Sequence, residues 1–128
     1  MHLTKTRLAM ASFLTLVFIT IPHIAFSEAD GPDYWKVYGV ESGDVLNIRR
    51  EGNFTSEKIG EIPSNGLCIK NLRCVGGLTY HEFTNLSEAE KNRIKKERPR
   101  WCHIEYRGIK GWVAGRFLRE ASCKTESN

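Results

Sequence analysis

Four cysteines, Cys68, Cys74, Cys102 and Cys123, all fall in the second half of a 128-residue chain. Their chemistry depends on where the chain goes, and its N-terminus speaks to that. Lys5 and Arg7 precede an almost unbroken apolar run from Leu8 to Ile21; Pro22 ends it, and Ala25 and Ser27 put small residues where a signal peptidase reads. The run falls short of the roughly 20 apolar residues that cross a bilayer, and Thr15 and Thr20 interrupt it. The expectation is a signal peptide over 1–27, cut after Ser27, with no transmembrane segment after cleavage and a mature protein in the periplasm or secreted. No cysteine sits near the cut, so no lipid anchor is expected. In an oxidising compartment an even number of cysteines in a small domain reads as a disulfide framework. Three pairings are open at this point. Zinc is disfavoured because the spacing lacks a C-x-x-C pair, although His103 stands beside Cys102; no metal and no cofactor are expected.

The mature chain, about 100 residues, suits one domain. Of the 19 basic residues, Lys5 and Arg7 leave with the leader and no acidic residue does, so 17 basic face 15 acidic residues. A net +2 is ordinary for a soluble domain and excludes nucleic acid as the expected partner.

The mature pattern is mainly β. Val45-Leu46-Asn47-Ile48-Arg49 alternates, with Leu46 and Ile48 on one face and Asn47 and Arg49 on the other. Further strands are expected over 34–40, 58–62, 67–72 and 101–106, and from Gly111 to Ala114, punctuated by Ser42-Gly43-Asp44, Ser64-Asn65-Gly66 and Arg107-Gly108. Residues 83–98 change period. Ser87 and Glu90 form a capping box, Lys95, Lys96 and Arg98 close the last turn, and Pro99 stops it, so one helix of about three turns is expected. Phe83, Leu86, Ala89 and Ile94 are its expected docking residues. Short strands at this spacing argue for a small barrel or sandwich.

Taken in order, these segments resemble the bacterial Src-homology-3-like domain. The resemblance rests on Leu46-Asn47-Ile48-Arg49, the strand and turn from Ile59 to Gly66, Trp101 to Tyr106 as Trp-x-x-Ile-x-Tyr, Gly111-Trp112-Val113, and Ala114 to Leu118 as the closing turn. It spans about residues 34–120, leaving 28–33 as an N-terminal extension and 121–128 as a polar tail. It implies a disulfide-stapled barrel of about five strands, with the helix as an insertion of the kind seen in small exported members. Those carry a cysteine at each end of the insertion, which implies a Cys74–Cys102 bridge and leaves Cys68 for Cys123. The loop from Glu51 to Ser56 has no Pro, and neither an acidic loop nor an Ala-Leu-Tyr-Asp-Tyr strand is present, so recognition of Pro-rich ligands is not carried over.

No enzymatic site is expected. Cys102 and His103 are strand neighbours and point to opposite faces, and Gly-x-Ser-x-Gly, His-Glu-x-x-His and phosphate-loop motifs are missing. The aromatics suggest binding instead. Trp112, Tyr106 and Phe117 are expected to fill the barrel, while Tyr34, Trp35 and Trp101 are expected to line a surface groove with Asn47 and Arg49 as polar contacts. The basic helix (Lys91, Arg93, Lys95, Lys96, Arg98) reads as a solvated face partly neutralised by Glu88, Glu90 and Glu97. Export together with the resemblance implies a monomeric, non-catalytic envelope module that binds peptidoglycan peptides or a wall-associated partner. The alternative is a periplasmic protein–protein adaptor or inhibitor acting through the insertion.

Overall fold

The computed structural model describes residues 31–124, so the leader expected over 1–27 and the last four residues lie outside the described residues. Seven antiparallel strands form one curled sheet: β1 (Tyr34–Val37), β2 (Val45–Arg49), β3 (Lys58–Pro63), β4 (Ile69–Val75), β5 (Trp101–Tyr106), β6 (Ile109–Ala114) and β7 (Leu118–Glu120). Their order across the sheet is β3-β2-β6-β5-β4-β1-β7. The curl brings the turn after β3 back to β1, where the Val37 N–H donates to the Gly66 carbonyl at 2.9 Å. Seven strands stand where about five were expected. The difference lies at the edge: β7 is too short to show an alternation of its own, yet it pairs with β1, the strand expected over 34–40 (Trp35 with Glu120, Lys36 with Arg119, Val37 with Leu118).

Alternation in the sequence sets the core. Leu46 and Ile48 of β2, Ile104 and Tyr106 of β5 and Val113 of β6 turn inward, where they meet Ile62, Ile69 and Leu118. Ile48, Ile62, Ile69, Ile104 and Val113 are wholly buried, each stabilising the fold by about 1.5–3 kcal/mol in transfer terms. Gly111 lets β2 and β6 come close: a Cβ there would lie 2.5 Å from Ile48 Cγ2 and 2.8 Å from the Arg49 carbonyl oxygen. Leu67, expected to begin the strand over 67–72, is exposed and lies outside it, because Cys68 at φ 55° turns the chain before β4 begins.

Both bridges join the expected partners. Cys74 and Cys102 face each other across β4 and β5, and Cys68 ties the entry to β4 to Cys123 after β7. They span 28 and 55 residues, which corresponds to about 3–4 kcal/mol each through restriction of the unfolded chain. The start of the expected polar tail is thereby pinned, with the Ala121 N–H also donating to the Tyr34 carbonyl at 3.1 Å.

The insertion holds two helices, not one: α1 (Tyr80–Asn85) and α2 (Glu88–Glu97). Each has its own capping box, Thr79 with Glu82 and Ser87 with Glu90, and Leu86 between them is extended (ψ 155°). Neither helix buries a residue fully. Of the expected docking residues, Phe83 and Ala89 are exposed while Leu86 and Ile94 are half-buried. The helices therefore stand off the barrel and are fixed at their base, where the Gly77 N–H donates to the Arg98 carbonyl at 2.8 Å and Arg98 Nε donates back to the Gly77 carbonyl at 3.0 Å.

Candidate ligand-binding cleft

Standing off the barrel, the insertion leaves an open cleft of about 980 Å³ beneath it. One wall comes from α1 and α2. Tyr80 and Phe83 are three apart on α1, and Asn92, Lys95 and Lys96 are spaced i, i+3, i+4 on α2, so each set shares a helix face. The other wall is the barrel rim, with Arg100 before β5, Arg116 in the short 3-10 turn (Gly115–Phe117) and Arg119 on β7. Phe54 reaches in from the loop between β2 and β3.

Two features distinguish this cleft. The first is exposed aromatic surface: Tyr80, Phe83 and Phe54 are 85%, 61% and 53% exposed, although apolar groups of this size gain free energy by leaving water. The second is a sorting of charge. Other cations of the insertion are paired, Lys91 with Glu88 at 2.9 Å, Arg98 with Glu82 at 2.6 Å and Arg93 with Glu97 at 3.9 Å. Lys95, Lys96, Arg100, Arg116 and Arg119 line the cleft with no acidic residue among the lining, and none of the five joins an ion pair among the described residues. Burial lowers the pKa of the Arg100 guanidinium, and repulsion from Arg119 lowers it further. Arg100 is held in place all the same: it donates to the Gly115 carbonyl at 2.7 Å and lies 5.4 Å over the Trp35 ring. Arg116 lies 4.6 Å from the Phe117 ring and Arg119 lies 4.2 Å from that of Tyr38. Such stacking holds a guanidinium in place while leaving its donor edge free.

The five residues expected to form a groove do not gather into one. Trp35 and Trp101 are buried at 6% and 5% exposure, a correction to the expectation that both lie at the surface. Trp35 belongs to the core, and its Nε1 has no hydrogen-bond partner among the described residues; the same holds for Asn47 Oδ1. Trp101 starts β5 and falls outside the main core cluster. It is covered instead by the loop after β2, whose Phe54 meets it edge-on with centroids 4.7 Å apart. Arg49 shapes that loop by donating from Nη1 to the Ser56 carbonyl at 2.9 Å. Tyr34 on β1 is separated from Asn47 and Arg49 on β2 by β6, β5 and β4.

Trp112, expected in the core, is half-buried on the outer face. His103 lies tilted against it at 5.0 Å and Arg73 stands 5.2 Å over its ring. Burial first, then Arg73 and Lys110, hold the His103 imidazole below its usual pKa. Among the described residues no group of three or more His, Cys, Asp or Glu is placed to hold a metal ion, and no helix is long and apolar enough to cross a membrane.

The cleft residues were present in the sequence without a strong signal. Thr79-x-x-Glu82 is a second capping box, and reading it would have started a helix at Tyr80 and put Tyr80 and Phe83 on one face. That Arg116 and Arg119 meet Lys95 and Lys96 across a gap follows from the fold and has no local sequence pattern.

No protein-family model matches the chain. Over 63 residues it is 30% identical to the protein named "Putative N-acetylmuramoyl-L-alanine amidase YrvJ" of Bacillus subtilis (strain 168), a stretch that covers 49% of this chain and 12% of that relative.

Proposed function

We propose that this protein is an exported, non-catalytic binding module of the bacterial cell envelope, of the Src-homology-3-like type, that recognises the peptide part of peptidoglycan. The observation that carries the reading is the cleft beneath the insertion, which combines exposed aromatics with cations that join no ion pair among the described residues. The partial match to a protein named for N-acetylmuramoyl-L-alanine gives the reading its direction toward the wall. Two disulfides suit an extracytoplasmic home.

Retention of the mature protein on purified sacculi tests the wall reading. We expect retention well above that of an albumin control, and retention equal to the control retires it. A second reading, a monomeric periplasmic adaptor or inhibitor acting through the insertion, is favoured by one observation: the helices bury no side chain fully, as a surface awaiting a protein partner would. Replacing residues 78–98 with a short Gly-Ser linker separates the two. Loss of a protein partner with sacculus retention intact supports the adaptor.

A further inference from the structure

We propose that the cleft takes a short peptide bearing carboxylates, clamped between Lys95 and Lys96 on α2 and Arg116 and Arg119 on the barrel rim, with its apolar side chains against Phe54, Tyr80 and Phe83. The inference rests on the binding reading above and adds the chemistry of the ligand and the residues that hold it.

Cations and carboxylates on one small insertion pair freely, and outside the cleft they do: Glu82, Glu88 and Glu97 each hold a partner. The lining cations have no carboxylate within ion-pair distance on either wall; Arg100, Arg116 and Arg119 are held by a carbonyl or an aromatic ring, and Lys95 feels only the longer-range attraction of Glu88. Like charges facing one another across a gap repel, and an anion between them relieves that repulsion. Arginine forks on the rim match the planar carboxylate, while the lysines act as point charges.

Shape and apolar surface narrow the choice further. The volume of about 980 Å³ sits at the upper end of the roughly 300–1,000 Å³ typical of ligand pockets, enough for several residues of extended chain. A polyol phosphate would satisfy the cations but has nothing to place against Tyr80 and Phe83. A lipid surface is flat and could not reach Arg116 and Arg119 on the far wall. A peptide with carboxylates and small apolar side chains satisfies both halves of the lining at once.

The test titrates the disulfide-bonded mature protein with the tripeptide L-Ala–γ-D-Glu–meso-diaminopimelate and with the same peptide converted to carboxamides. The acid form is expected to bind at least about tenfold more tightly, with an affinity that falls as salt is raised. The pair Lys95→Gln with Lys96→Gln, and separately Arg116→Gln with Arg119→Gln, should each weaken it about tenfold. All four side chains are exposed, and both bridges are checked in each variant. The control pair Arg50→Gln with Lys110→Gln removes the same charge elsewhere and should change affinity less than about twofold. Equal binding of acid and carboxamide, or cleft variants no weaker than the control, overturns the proposal, as does binding to phosphatidylglycerol vesicles without binding of the tripeptide. Running sacculi in parallel keeps the two claims apart. Sacculus retention unaffected by the cleft variants sinks this cleft assignment and leaves wall binding standing; tripeptide binding as expected without sacculus retention does the reverse.

Discussion

Arg98 Nη2 lies 2.6 Å from Glu82 Oε2, joining the end of α2 to the first turn of α1. The same carboxylate accepts the Thr79 N–H at 2.8 Å. These contacts hold the two short helices as one wall of the cleft, since neither helix is long enough to be stable alone.

The Glu82 carboxyl is pulled from its ordinary 4.5 down to about 2, first by the backbone hydrogen bond from Thr79 and then by Arg98. A carboxyl with a depressed pKa favours the folded insertion at any pH above 4.5, and that advantage drains away as the pH falls from there toward about 2. The protection factor of the α1 amides, corrected for the slower intrinsic exchange in acid, should therefore hold above pH 4.5 and fall through this acid window. In Glu82→Gln that fall should vanish, with α1 less protected at pH 5 as well. A protection factor that does not change with pH in the parent protein would contradict the assignment.

Phe54 covers Trp101 from the loop side. Phe54→Ala should uncover the indole, shifting tryptophan fluorescence to the red, and destabilise the fold by about 1 kcal/mol through loss of the aromatic pair. Urea unfolding followed by fluorescence reads both effects.

Ile104 is wholly buried in β5 and packs in the core with Ile48 and Ile69. Ile104→Ala should cost about 3 kcal/mol, part lost transfer and part cavity. The midpoint of denaturant unfolding should fall with little change in slope.

Each disulfide should be separable in its effect. Cys74→Ala with Cys102→Ala, and Cys68→Ala with Cys123→Ala, should each lower stability by about 3–4 kcal/mol, and non-reducing peptide mapping should recover only the remaining bridge. Removing the pair at Cys74 and Cys102 should also speed exchange in α1 and α2, because that bridge lies at the base of the insertion.

What could be read from the sequence follows the range of the physics involved. Leu46 and Ile48 in β2, and Ile104 and Tyr106 in β5, show their inward faces through simple alternation. The Ser87 capping box likewise marks the start of α2. All three tryptophans sit differently from their expected places: Trp35 packs into the core, and Trp101 and Trp112 are reversed because burial can come from a loop as well as from the core. Trp101 is covered by Phe54, reached through a turn that Arg49 and Ser56 set, whereas Trp112 sits on the outward side of a strand whose neighbours Gly111 and Val113 turn in. The cleft was the least legible part. In sequence Lys95 and Lys96 read as a solvated helix face; only the fold shows Glu88 in an ion pair with Lys91, Glu97 with Arg93, and Arg116 and Arg119 on the same cleft.

The most direct test of the binding account is amide chemical-shift mapping of the mature protein with soluble peptidoglycan fragments. The largest changes are expected at Tyr80, Phe83, Lys95, Lys96, Arg116 and Arg119, on both walls of the cleft. Changes confined to the outer face around Arg73, His103 and Trp112, or no changes at saturating fragment, would contradict it.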